Sequence, residues 1–221
     1  MTRKETAAMM RDIRREVSST RRWTGRERLD RRVTAAVAAV PRHAFVPEEE
    51  RELAYLNEPL PIGFGQTISQ PYIVALMTDL LEPAPEHVVL EIGTGCGYQA
   101  AVLAQLVRRV YSIEVVAGLA EAAAARLQSL GYANVEVRRG DGYGGWPEHA
   151  PYDGIIVTAG APRVPPPLVA QLKPEGRLVI PVGPPYGTQM LCVVTRGAAG
   201  EVHRQEILPV AFVPLTGGHG H

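Results

Sequence analysis

Glu91, Gly93, Gly95 and Gly97 stand together in the run VLEIGTGCGYQAAVLAQL, where a short apolar stretch gives way to glycines and then to an alanine- and leucine-rich helical pattern. Glycines between a strand and a helix let the backbone approach a ligand closely and take dihedrals that a Cβ forbids. They could equally serve a tight turn alone. Their spacing is G-x-G-x-G, not the G-x-G-x-x-G of nicotinamide binding, and Glu91 precedes the first glycine by two positions. A carboxylate there repels a pyrophosphate and suits a ligand with positive charge. Two more acids fall where a nucleoside needs them. Glu114 ends the next strand-like run, RVYSIEV, the position from which a carboxylate accepts from both ribose hydroxyls. Asp141 ends a third run in RRGDG, where it could accept from an adenine amino group while Gly142 lets the ring lie flat. Each acid has a plainer alternative, a solvated strand end for Glu114 and an Asp-Gly turn for Asp141. As a set with the glycine turn they point to S-adenosylmethionine, whose sulfonium and ammonium groups are cationic.

The methyl acceptor is narrowed by what is missing. The strand after Asp141 ends in TAGAP, not in the Asn/Asp-Pro-Pro-aromatic motif that binds a target amine, and no Asp or Asn cluster suggests a magnesium ion. No metal is expected. Neither Cys96 nor Cys192 looks like an activated nucleophile. An acceptor already nucleophilic at neutral pH remains, and a carboxylate qualifies because it needs no general base. In GQTISQP, Ser69 precedes Gln-Pro and an apolar helical run, which suits a helix N-cap; a hydroxyl beside first-turn amides is also well placed to hold a carboxylate. Both roles stay open. His43, in PRHAFVP after a helix, fits an interhelix residue better than a proton carrier, and Tyr143 and Trp146 could cover an adenine or pack their own loop.

These residues need a frame to hold them. From about Thr2 to Glu82 the pattern is helical with proline interruptions and shows no obvious sheet, passing through LDRRVTAAVAAV, the loop NEPLPIGFGQTISQP and YIVALMTDLL. From Val88 short β-rich runs alternate with helices: VVLEIG, RVYSIEV, NVEVRRGD and YDGIIVTAG, then a helix over PPLVAQLKPEG, then RLVIPVG, MLCVVTRG and EILPVAFVPL. That alternation predicts a mostly parallel sheet covered by helices on both faces, with two antiparallel strands at the end. Ligands of such sheets sit beyond the carboxyl ends of the strands, where strand order reverses, and the glycine turn falls there.

Composition sets outer limits. The chain has 221 residues, 46% hydrophobic and 21% charged, enough for one sizeable core. Basic and acidic residues balance at 23 each, so overall charge gives no argument for nucleic acid or an anionic membrane, and neither is expected as a partner. The arginine-rich start suits a solvated helical arm. Two cysteines without metal or redox spacing fit a reducing compartment, and neither a signal segment nor a run of about twenty apolar residues is seen, so a cytoplasmic protein is expected.

The chain resembles the protein-L-isoaspartate (D-aspartate) O-methyltransferases. The likeness is carried by VPRHAFVP, AYLNEPLPIGFGQTISQPYIVALMTDLL, VLEIGTGCGYQAAVLAQL, GDGYGGWPEHAPYDGIIVTAGAP, LKPEGRLVIPVG and FVPLTGG, nearly the whole length, with GQTISQP the most specific segment. The resemblance implies an α/β fold: a doubly wound, mostly parallel Rossmann-like methyltransferase sheet with an N-terminal helical extension. It implies a helical and active-site region over 1–82 and a cofactor domain over 83–221, packed as one unit and monomeric. It implies methyl esterification of the free α-carboxyl of isoaspartyl residues in damaged proteins. S-adenosylmethionine becomes S-adenosylhomocysteine, and the ester starts repair through a succinimide. By the same likeness Ser69 is catalytic, Thr67, Ile68 and Gln70 border the methyl group with it, and Glu91, Gly93, Gly95, Gly97, Glu114, Asp141, Gly142 and Thr216 lie at or beside the cofactor. Cys96 departs from the family's usual serine and would be a weaker hydrogen-bonding partner. The tail GGHGH is unusual. Two other classes remain, a methyltransferase acting on another carboxylate or small molecule, and a cofactor-binding module without catalysis.

Overall fold

The structure, a computed structural model, describes residues 3–217; of the GGHGH tail only Gly217 is among them. Two helices come first, α1 (Arg3–Thr24) and α2 (Arg31–Ala39), then a hairpin of β1 (Leu60–Gly63) and β2 (Gln66–Ile68), then α3 (Pro71–Leu81). The alternating part follows as β3 (Val88–Ile92), α4 (Tyr98–Ala104), β4 (Arg109–Glu114), α5 (Ala117–Ser129), β5 (Val135–Arg139), β6 (Tyr152–Val157), α6 (Pro166–Ala170), β7 (Leu172–Val182), β8 (Gln189–Arg196) and β9 (Val202–Val210).

The large sheet has the order β5-β4-β3-β6-β7-β8-β9. Its first five strands run parallel, and β8 and β9 close the far edge antiparallel. The chain winds outward from β3 to β5 and then returns to lay β6 against the other side of β3, so strand order reverses between β3 and β6. A crevice beyond their carboxyl ends is the expected result. β3 and β6 are apolar on both faces because both are covered: Val89, Leu90, Ile92, Ile155, Ile156 and Val157 are all buried. One apolar cluster runs without a break from Met9 and Ile13 of α1 through Tyr72 and Met77 of α3 to Val89, Leu191 and Ile207 of the sheet.

The fold departs from sequence expectation in two elements of secondary structure, and α1, expected as a solvated arm, instead buries Met9, Ile13 and Val17 in the core. The proline-rich region before α3 contains a sheet after all. Leu60 pairs with Ile68 and Pro61 with Thr67, and the turn is made by Phe64 and Gly65, both with positive φ. A two-residue turn with two left-handed residues matches the twist of the strands it joins. The second departure is LKPEG, which belongs to β7. Leu168, Val169 and Leu172 have helical spacing, but the helix stops at Ala170, because the Gln171 side chain turns away to accept from the Trp146 amide at 2.9 Å and to donate to the Gly144 carbonyl at 2.8 Å. The Gln171 carbonyl accepts from the Tyr152 amide at 2.8 Å, which starts strand pairing, and a bulge between the Tyr152 and Gly154 partners absorbs Pro174 and Gly176.

Arg42 fixes the approach to the hairpin. Its guanidinium is fully buried, donates to the carbonyls of Ala54 at 2.8 Å and Glu58 at 3.3 Å, and lies 4.8 Å from the centre of the Tyr98 ring. The segment that leads into GQTISQP is thereby tied to the first residue of α4.

Candidate active site

The turn after β3 is shaped by its glycines. Gly93, Gly95 and Gly97 all have positive φ, and a Cβ on Gly93 would stand 2.5 Å from Thr158 Oγ1. Thr158, the residue after β6, donates to the Gly93 carbonyl at 2.6 Å and so pins the turn across the switch point. A Cβ on Gly97 would meet Leu127 at 3.1 Å; this third glycine packs α4 against α5 and does not line the crevice.

Three adjoining clefts with shared lining residues open around this turn. One is lined by Gln66, Thr67, Gly93, Gly95, Glu114, Gly142, Thr158 and Thr216 among others. A second, narrow one runs beneath Thr67, Ile68 and Ser69 to Gly93, Gly95, Cys96 and Gln99. The third, longer one lies between α1, Ser69, Gln70 and the segment 208–213. Thr67 and Thr158 line all three.

Glu114 is buried, and its two carboxyl oxygens accept from the Gly95 amide at 2.8 Å and the Val116 amide at 2.9 Å. It is a wall of the first cleft and not a solvated strand end. Asp141 accepts from the Tyr143 amide at 2.9 Å, and Gly217 packs on it so closely that a Cβ there would lie 2.4 Å from the carboxylate. Gly142 sits against Ile92, where a Cβ would come within 2.2 Å of Cγ2; the sheet itself demands glycine. Trp146 packs its loop, buried beside Tyr111 and under Arg138.

Glu91 lies outside the lining of all three clefts. It is fully buried below the turn, where the Ser112 hydroxyl donates to one oxygen and the other has no hydrogen-bond partner among the described residues. Ser112 and Thr94 share a hydrogen bond at 2.5 Å. Burial, with the Glu114 charge adding to it, pushes the Glu91 pKa up to about 8. An acid whose pKa rises on folding binds its proton more tightly in the native state. Its contribution is complete below the unfolded value near 4.5 and is lost as pH climbs to about 8. Glu91→Gln keeps the shape of the neutral acid without the titration. Thermal melts across that window should show wild type falling progressively against Glu91→Gln; parallel profiles would mean that Glu91 carries its charge without penalty.

Ser69 does not cap α3. The N-cap is Gln70, which makes no side-chain capping bond; instead the Asn57 side chain accepts from the Tyr72 amide at 2.9 Å, and Gln70 Nε2 donates to the Asn57 carbonyl at 2.9 Å. Among the described residues the Ser69 hydroxyl has no partner, and it lines both the second and third clefts. The hairpin roofs the first cleft: Ile62 Cδ1 lies 3.3 Å from the Cβ position on Gly95, and the exposed Phe64 ring covers Gly118 at the start of α5. The other side is closed by the chain after β9, where the Gly160 amide donates to Val213 O and the Leu215 amide to Gly160 O, each at 2.8 Å.

His43 bonds Tyr55 OH at 2.9 Å, away from the clefts, and burial lowers its pKa. Cys96 is buried with its thiol pKa raised by that burial, an unreactive thiol. Thr158, Asn57 and Val213 escaped the sequence reading. Only Thr158 carried a usable signal, as the residue just after the strand paired with β3 at the reversal.

A doubly wound sheet with an acid-walled glycine turn at its switch point is the arrangement of nucleoside-binding α/β proteins, the class to which S-adenosylmethionine-dependent methyltransferases belong. Residues 18–220 match the family described as Protein-L-isoaspartate(D-aspartate) O-methyltransferase. The chain is 60% identical over 213 residues to Protein-L-isoaspartate O-methyltransferase 2 of Syntrophobacter fumaroxidans, covering 96% of this chain and 86% of that protein. A solved protein-L-isoaspartate O-methyltransferase superposes with a TM-score of 0.83 at 26% identity, covering 97% of this chain and 67% of that one. A Plasmodium falciparum protein solved in complex with S-adenosyl-L-homocysteine shares the fold at a TM-score of 0.77 and 23% identity, with 95% and 97% covered. The chain belongs to the protein-L-isoaspartate (D-aspartate) O-methyltransferase family. Among the described residues no helix is long and apolar enough to cross a membrane.

Proposed function

We propose that this protein transfers the methyl group of S-adenosylmethionine to the free α-carboxyl of L-isoaspartyl residues in peptides and damaged proteins. The observation that carries the reading is the meeting of the clefts. Ser69, with an unpartnered hydroxyl, stands where the narrow cleft under the glycine turn joins the long cleft beside segment 208–213. A cofactor on one side and a peptide on the other come together at that residue.

The first and second clefts, which share Thr67, Gly93, Gly95 and Thr158, fit the cofactor by their donor set. Glu114 offers acceptor lone pairs to ribose hydroxyls, the glycine turn leaves room that a Cβ on Gly93 or Gly95 would restrict, and among the described residues no basic side chain lines either cleft to repel a sulfonium. Thr67, Ile68, Gly93, Gly95, Glu114, Gly142 and Thr216 would hold it, with Asp141 beside them and Glu91, Gly97 and Gln70 supporting from behind. When bound it supplies an electrophilic methyl group. Ser69 donates to one carboxylate oxygen and fixes its direction, which is the catalytic work required where the nucleophile needs no base. The hairpin, through Gln66 and Thr67, and segment 213–216 wall the first cleft.

Transfer of labelled methyl to one peptide in isoaspartyl and normal aspartyl forms tests this. Label should enter the isoaspartyl form only and be released by mild base, as an ester is. Equal labelling of both, or base-stable label, would favour another acceptor.

A further inference from the structure

Among the described residues the long cleft is lined by one formally charged side chain, Glu16 of α1. Its other walls are polar but uncharged at Thr20, Ser69 and Gln70, and apolar at Ile73, Leu208 and Phe212. Glu16 is half-buried, and its carboxylate forms no ion pair among the described residues, whereas its neighbours Asp12 and Arg15 pair with each other at 3.4 Å. It stands close to the Thr20 and Tyr72 hydroxyls, which bond at 2.5 Å; burial raises the Tyr72 phenol's pKa and the Glu16 charge adds to it.

A carboxylate in this position has a consequence for whatever lies in the cleft. A peptide covering it strips water from the charge, and only a cation or strong donor offsets that loss. An acidic neighbour would meet a like charge in a region of lowered dielectric. Arg14 and Arg15 of the same helix face solvent and do not line the cleft, so their field is screened over roughly 8 Å. The local sign is negative.

We infer that Glu16 is a specificity-determining residue that selects isoaspartyl substrates carrying a lysine or arginine side chain near the damaged residue and disfavours those with an acidic one. The inference rests on the long cleft being the peptide site. The test uses isoaspartyl peptides in which a single Lys, Ala or Glu is walked through the flanking positions, with wild type, Glu16→Gln and Glu16→Arg, each checked for native circular dichroism.

For wild type, at one or more positions, KM for the Lys peptide should be about threefold to fivefold below that for Ala, the span of a half-exposed ion pair, and Glu should be worst. The ranking should flatten in Glu16→Gln, invert in Glu16→Arg and fade at high salt. One ranking shared by all three enzymes, with normal labelling, would overturn the inference and leave the activity standing. Absence of label on every isoaspartyl peptide would overturn the activity and this inference together.

Discussion

Glu114→Ala is expected to weaken S-adenosylmethionine and S-adenosylhomocysteine binding by about a hundredfold while the sheet stays folded. Two losses combine. A carboxylate accepting from ribose hydroxyls makes charge-assisted bonds worth roughly 1.5 to 3 kcal/mol each. The same oxygens already organise the turn, accepting from the Gly95 and Val116 amides, so alanine also leaves two part-buried donors without their acceptor. Glu114→Gln separates these parts. An amide keeps one acceptor oxygen but aims an NH2 group at the other backbone N–H, so the loss should be intermediate, about tenfold. Isothermal titration with both ligands, alongside melting curves, checks the series. Unchanged affinity in Glu114→Ala would place the ribose elsewhere and reduce Glu114 to a clamp on the glycine turn.

Glu114 also illustrates what could be read from the sequence and what could not. Its distance from the glycines and its place at the end of RVYSIEV are properties of local pattern, and local pattern predicts β3 to β6 well because each is a short run rich in β-branched residues followed by a glycine-containing turn or a helical pattern. The same logic finds the antiparallel end, where Gly197 and Gly200 turn β8 into β9. It fails where the deciding contact is remote in sequence. Nothing near Ser69 reveals that Asn57 caps α3, because that bond spans fifteen residues of proline-interrupted chain. Nothing in PPLVAQLKPEG reveals that Gln171 is drawn off to Trp146 and Gly144, so the helical spacing of its leucines misleads. The hairpin was hidden for another reason: Pro59, Pro61, Gly63 and Gly65 suppress strand propensity, and pairing is held by only a few residues over the cleft. Glu91 was legible as a position, but its depth was not; one orphaned oxygen and a raised pKa follow from packing under α4.

Ser69 is where those remote contacts change the expected outcome. On pattern alone Ser69→Ala removes a helix cap and costs about 1 kcal/mol of stability. With Asn57 supplying the cap, the stability cost should move to Asn57→Ala, and Ser69→Ala should melt within about 0.5 kcal/mol of wild type, as substitutions away from such features do. The effect on rate should be large. An orienting hydrogen bond to a carboxylate in a water-poor cleft is worth on the order of 2 kcal/mol in the transition state, about thirtyfold. Single-turnover rates at saturating cofactor should therefore fall by that order for Ser69→Ala on an isoaspartyl peptide, with cofactor affinity changed much less. Ser69→Thr keeps the hydroxyl but adds a methyl group between the two clefts that Ser69 lines, so it should fold normally and still turn over poorly. Near-wild-type rates in both variants would leave orientation of the carboxylate to backbone amides. A stability loss in Ser69→Ala larger than in Asn57→Ala would return the serine to the role of helix cap.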